Sequence, residues 1–222
     1  MQSIRLIRYF FYLLTNWNLN VAFHILKKEI RGEKKYGIFS TGSDDLDKLR
    51  DKGIDLSHAT IYMPASYDIL EDIFTHLKQN TIHHLLDIGC GKGRVLCVAA
   101  YHGVKKLTGI DLSKEFCTDS VRNLEKIKQT LPDVEYVVKN TDAFYFDIPD
   151  DADYIFFFNP FDEIIMSGVI KNIKNSIGIN PRKITIIYLN PIHKNLFLNT
   201  GFVQTYSVKK LKYLEGCIMV KE

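Results

Sequence analysis

The stretch Leu85-Leu86-Asp87-Ile88-Gly89-Cys90-Gly91-Lys92-Gly93-Arg94 decides how this chain is read. A short apolar run closes on glycines at alternate positions, and helix-forming residues follow from Arg94. Apolar runs of this length bounded by glycine read as buried strands. Glycine lets the backbone turn tightly and approach a ligand with no Cβ in the way. A helix starting near Arg94 aims free N–H groups and its positive dipole end at the same spot.

Outward from this stretch the pattern alternates. A helix is expected over 67–79, with Ile69, Leu70, Ile73, Phe74 and Leu77 on one face. A strand at 84–88 leads into a helix at 94–102, stopped by Gly103. A strand at 106–110 precedes a helix capped by Ser113 and ended before Pro132. Strands follow at 134–138 and 154–158, the second apolar on both faces and therefore central. A helix at 163–177, a strand at 184–189 and a short helix at 195–198 come next. Strands at 203–209 and 216–220 are close enough to pair as a hairpin. Alternating strands and helices make a parallel sheet with helices on both faces. The hairpin turns one strand antiparallel, because a short link cannot make a parallel crossover.

A chain of 222 residues suits one well-buried domain with an appendage. A boundary is expected near Asp55, separating an accessory region and linker at 1–55 from the main domain at 56–222. The charged, glycine-containing segment from Arg31 to Gly53 reads as a mobile connector with a short helix at 44–50. Cys90, Cys97, Cys117 and Cys217 form no CxxC pair, so they read as reduced thiols of a cytoplasmic protein, with no metal expected. A net charge of +3 is far from the strongly basic balance typical of nucleic-acid binders.

The first residues form an amphipathic helix. Ile4, Ile7, Phe11, Leu14 and Trp17 or Asn18 recur at helical spacing, with Arg5, Arg8, Tyr12 and Thr15 opposite. Asn16, Asn18 and Asn20 interrupt the apolar run, which excludes a membrane span, and no small-residue cleavage site follows it. Two readings stay open: packing on its own domain or a second subunit, and lying on a membrane surface.

The sixth position of the glycine loop is Arg94, so the dinucleotide fingerprint G-x-G-x-x-G fails. The sequence Asp87-Ile88-Gly89-Cys90-Gly91-Lys92-Gly93, with Asp111 following, instead resembles the first motifs of the class I S-adenosylmethionine-dependent methyltransferases. That resemblance covers most of the chain from about Tyr62 onward. It implies a Rossmann-like α/β three-layer sandwich, its seven-stranded sheet mostly parallel with one antiparallel C-terminal hairpin strand, preceded here by a helical extension. It also implies S-adenosyl-L-methionine as cofactor. Asp87, Gly89 and Gly91 would then line its amino-acid end, with Cys90 and Gly93 among the cofactor-binding residues of the same loop. Asp111, with Leu112 beside it, would take the ribose hydroxyls, and Asp142 with Ala143 the adenine. Tyr62, in Tyr62-Met63-Pro64, either folds over the cofactor or belongs to a plain turn before the next helix.

Asn159-Pro160-Phe161 ends the fourth strand. It is similar to the Asn/Asp-Pro-Pro-Tyr/Phe motif of methyltransferases acting on planar amino groups, but the second proline is missing. The similarity implies a nitrogen acceptor held by Asn159 and Pro160 and stacked on Phe161. The plainer alternative is a chain turn. The expected function is methyl transfer to nitrogen, on a protein side chain first, then on a nucleic-acid base or small molecule. A non-catalytic cofactor-binding module docked through the N-terminal helix is the alternative of a different class.

Overall fold

The computed structural model describes residues 2–16, 19–41, 64–158, 161–210 and 214–222. Its centre is a seven-stranded sheet built from β1 (His84–Ile88), β2 (Lys106–Asp111), β3 (Glu135–Asn140), β4 (Tyr154–Phe158), β5 (Ile184–Leu189), β6 (Val203–Lys210) and β7 (Leu214–Lys221). The spatial order is β3-β2-β1-β4-β5-β7-β6. Strands β1 to β5 pair in parallel, and β7 lies antiparallel between β5 and β6. Strand order therefore reverses between β1 and β4, the place where open parallel sheets bind ligands.

Helices cover both faces. On one side lie α3 (Tyr67–His76), α4 (Arg94–Tyr101) and α5 (Lys114–Thr130). Ile69, Ile73, Leu96 and Leu124 there pack on Leu85, Phe156, Ile187 and Ile218 of the sheet. On the other side α6 (Glu163–Ile179) and the short α7 (Lys194–Leu198) bring Met166, Val169, Ile173 and Phe197 against Leu86, Ile155, Phe157 and Ile186. Alternate residues of each central strand enter opposite cores, which is why β4 and β5 are apolar throughout.

The N-terminal region is a helical hairpin, α1 (Gln2–Asn16) and α2 (Leu19–Tyr36). Its seam is Tyr9, Leu13, Val21, Ala22 and Ile25. The apolar face expected for α1 is not the buried one, because Ile7 and Phe11 are exposed while Tyr9 and Leu13 are covered. The expected connector from Arg31 is also corrected: α2 continues to Tyr36, and Ile38, Ser40 and Thr41 are buried beyond it. Helix α2 approaches α3 so closely that a Cβ at Gly32 would overlap the Tyr67 ring. The expected helix at 44–50, the boundary near Asp55, and Trp17, Asn18 and Tyr62 lie outside the described residues. No helix among the described residues is long and apolar enough to cross a membrane.

Candidate functional site

The loop between β1 and α4 carries three left-handed glycines, Gly89 (φ 81°), Gly91 (φ 51°) and Gly93 (φ 75°). A side chain at Gly93 would be strained and its Cβ would run into Ser120 Oγ. The loop is fastened to β2: the amides of Gly89 and Cys90 both donate to the Ile110 carbonyl at 2.9 Å. The Gly91 amide donates to Asp111 Oδ2 at 2.8 Å, and the Ser113 amide to Asp111 Oδ1 at 2.8 Å. Each carboxylate oxygen, accepting one of these bonds, retains another lone pair. Burial raises the Asp111 pKa, and the two amide bonds oppose that shift.

Asp87, at the C-terminal end of β1, is 1% exposed, and its Oδ2 has no hydrogen-bond partner among the described residues. Burial, then the nearby Asp111 charge, pushes its carboxyl well above the ordinary value. A buried acceptor left unpaired is costly unless a ligand or water completes it. A buried carboxyl, Asp87, and a half-buried one, Asp111, thus stand beside the glycine loop, suited to a ligand that brings hydroxyl and ammonium donors.

Strand β3 delivers the next acid. Asn140 is level with Asp111, and the Thr141 amide donates to the Asp111 carbonyl. Asp142 follows, its Oδ1 accepting from the Phe144 amide at 2.8 Å, with Ala143 buried after it. Leu112 is exposed beside Asp111. The fold thus brings Asp87, Gly89, Cys90, Gly91, Gly93, Asp111, Leu112, Asp142 and Ala143 to one end of β1 to β3. Cys90 belongs there by its backbone; its side chain packs in the core over Gly109. Phe161 is half-buried against the core under α6, whereas Asn159 and Pro160 lie outside the described residues. Among the described residues no group of three or more His, Cys, Asp or Glu side chains is placed to hold a metal ion.

A network not anticipated from the sequence stands behind the loop. Arg94 is buried and donates to Glu29 Oε1 at 2.8 Å, Glu29 Oε2 at 2.5 Å, the Ala65 carbonyl at 2.8 Å and Ser40 Oγ at 2.8 Å. Its guanidinium stacks over the Tyr67 ring at 4.1 Å. Burial raises the Tyr67 hydroxyl to about 12, against the opposing pull of Arg94. Glu33 accepts from the amides of Ser40 and Thr41. Asn123 of α5 joins this strap to the loop, donating to the Lys92 carbonyl at 2.9 Å and accepting from the Phe39 amide at 3.1 Å. The available signal was Arg94 itself: a cation in the first turn of an otherwise apolar helix requires a partner.

Comparison with known proteins agrees with this geometry. Residues 85–176 match the family model described as a methyltransferase domain. No curated protein matches the chain. Among solved structures, the chain is similar to the magnesium protoporphyrin IX methyltransferase of Synechocystis PCC 6803, solved with bound S-adenosylmethionine. The identity is 13%, the TM-score 0.51, and the match covers 69% of this chain and 77% of that one. The ribosomal protein L11 methylase of Lactobacillus delbrueckii subsp. bulgaricus matches at 14% identity and TM-score 0.50, covering 68% and 75%. The PH0226 protein of Pyrococcus horikoshii OT3 matches at 15% identity and TM-score 0.51, covering 84% and 97%. Residues 85–176 are thus similar to a methyltransferase domain, and the glycine loop, the acids that follow it and the sheet order share the Rossmann-like fold of the solved methyltransferase bound to S-adenosylmethionine.

Proposed function

We propose that the chain transfers a methyl group to a nitrogen, with a protein side chain as acceptor, and that the residues leaving β4 hold that acceptor. The observation that supports this reading is the register of β4 on β1. Ile88 is level with Phe157, so the chain leaves β4 at Phe158 beside the start of the glycine loop. Asn159-Pro160-Phe161 follow in sequence. Planar amide or amino nitrogens are poor nucleophiles, because their lone pair is delocalised. In this reading the Asn159 side-chain oxygen and the Pro160 carbonyl accept the two N–H hydrogens and localise that lone pair. Phe161 stacks on the plane, and the contribution is alignment with exclusion of water.

The cofactor supplies an electrophilic methyl group on sulfur when bound. Asp111 would accept the ribose hydroxyls of S-adenosyl-L-methionine with its remaining lone pairs. The Asp87 oxygen, unpaired among the described residues, would meet the ammonium at the amino-acid end. Asp142 and the Ala143 amide meet the adenine edge, and Leu112 offers apolar cover to the base. Tyr62 closes over the cofactor in the same reading.

A protein acceptor is favoured over nucleic acid because segments 159–163 and 190–194, which follow β4 and β5, contain Lys194 as their one Lys or Arg. Phosphate backbones are held by clusters of such residues. Acceptors differ among proteins of this fold, since one neighbour is a magnesium protoporphyrin IX methyltransferase and another a ribosomal protein L11 methylase.

The test is transfer of tritiated methyl to cell extract fractionated into protein, RNA, DNA and lipid. Label in protein that survives mild base is expected, because N-methyl groups resist base and methyl esters do not. Label confined to another fraction overturns the protein acceptor, and base-labile label overturns nitrogen.

A further inference from the structure

The helical hairpin leaves a large apolar surface uncovered among the described residues. Ile7 and Phe11 of α1 and Leu19, Phe23 and Ile30 of α2 are each about half exposed or more. Phe10 joins them into one patch, its ring centroid 5.9 Å from that of Phe11 and 5.1 Å from that of Phe23. Further along α2 a cavity of about 330 Å³ is lined by Leu6, Ile30, Glu33, Lys34, Gly37 and Phe39. Contiguous apolar surface of this kind on a small protein marks a contact site.

The exposed charge around the patch is of one sign, Glu33 at the cavity being buried. The residues of helix α1 include no Asp or Glu. Helix α2 exposes Lys27, Arg31, Lys34 and Lys35, while its acids Glu29 and Glu33 are buried in the network behind the glycine loop. The acids of α3 that border α2 are engaged: Asp68 with Lys28 and Lys210, and Glu71 with Lys35. Lys126 of α5 lies over Phe39 at the far end. The exposed charges of the hairpin itself are therefore all cationic around an aromatic and aliphatic centre.

We infer that this face of the hairpin docks on an anionic lipid surface, with Phe11 and Phe23 entering the interface and Lys27, Arg31 and Lys34 meeting headgroups. A bilayer interface accepts apolar side chains and attracts cations together. A nucleic acid would use the cations but leave the Ile7, Phe11 and Phe23 surface without a partner. A second copy in two-fold contact would bring like charges face to face. Because α2 is bonded to Arg94, a docked hairpin also fixes the glycine loop relative to the lipid surface.

The experiment is co-sedimentation of the full chain with phosphatidylcholine vesicles, with and without about a third phosphatidylglycerol, at low and high salt. Binding to the anionic vesicles alone is expected, weakening with salt. Phe23→Asp should lower the partition coefficient at least about ten-fold, the loss expected for one buried aromatic. Arg31→Gln and Lys34→Gln should each lower it about five-fold. These side chains are solvent-facing, so unchanged thermal melting and S-adenosylhomocysteine binding identify the variants as folded. Absence of binding to anionic vesicles, equal binding to neutral ones, or indifference to all three substitutions overturns the inference. So does a chain that shifts an RNA probe or dimerises while leaving vesicles unbound.

Discussion

Glu29 and Arg94 lie 65 positions apart and form a two-pronged ion pair sealed from water, each side chain no more than 3% exposed. One end belongs to the N-terminal hairpin and the other is the first residue of the helix behind the glycine loop. The hairpin is thereby part of the wall that holds the glycine loop in place.

Removing one partner strands the other charge. Glu29→Ala should cost about 3–5 kcal/mol in urea unfolding and weaken S-adenosylhomocysteine binding, while Glu29→Ala with Arg94→Met should recover much of the stability. A double-mutant cycle reads the coupling directly, and additive losses would mean that the pair does not act as a unit.

Gly93 and Gly103 allow a matched comparison. Both have positive φ, but a Cβ at Gly103 meets nothing within 4 Å, whereas one at Gly93 enters Ser120. Each alanine substitution should cost about 1–2 kcal/mol of backbone strain. Only Gly93→Ala should also abolish S-adenosylhomocysteine binding by isothermal titration, and equal affinities in the two variants would contradict the proposed site.

Asp111 gives the site a pH signature. Its carboxyl is held above the usual range when free, and ribose hydroxyls donating to the carboxylate would pull it down. Ligand binding should therefore release a proton, and affinity should rise with pH through the range of the raised carboxyl. Titration in buffers of different ionisation enthalpy detects the released proton. In Asp111→Asn this linkage should vanish along with most of the affinity.

At the opposite end of the sheet the sign reverses. Asp151 bonds Lys106 and His84, and His84 Nε2 meets Thr108 Oγ1 at 2.8 Å. Burial raises the Asp151 carboxyl, but these bonds outweigh it and bring the value from 3.8 to about 2. Its stabilising contribution is complete above the unfolded value and is lost as pH falls through the folded one. Asp151→Asn should therefore destabilise at neutral pH and flatten the wild-type loss of stability between about pH 4 and pH 2, measured by urea titration across that range.

The sheet was legible because its burial is reported by residue type alone. Tyr154-Ile155-Phe156-Phe157-Phe158 and Ile184-Thr185-Ile186-Ile187-Tyr188-Leu189 are largely apolar on both faces and sit in the middle of the sheet. Asp111 was legible by its distance from the glycine loop. Helix α2 was not, because its buried face includes Glu29, Gly32 and Glu33, which erase the apolar period. Their burial makes sense only with Arg94, Tyr67 and the strap at 38–41 in place, and no local pattern records partners so remote. For α1 the difficulty was the reverse: apolar residues surround much of the helix, so periodicity could not choose between Tyr9 and Leu13 on one side and Ile7 and Phe11 on another.

The position of β7 bears on how the chain is made. Strand β6 leaves the ribosome first, yet its sheet neighbour is β7, which also separates it from β5. Until β7 emerges, β6 has no edge to join. Strands β1 to β5, which carry the glycine loop and its acids, already form a continuous parallel sheet without either hairpin strand. Nascent chains stalled before residue 214 would thus expose the edge of β5, together with apolar residues such as Ile187 that β7 later shields.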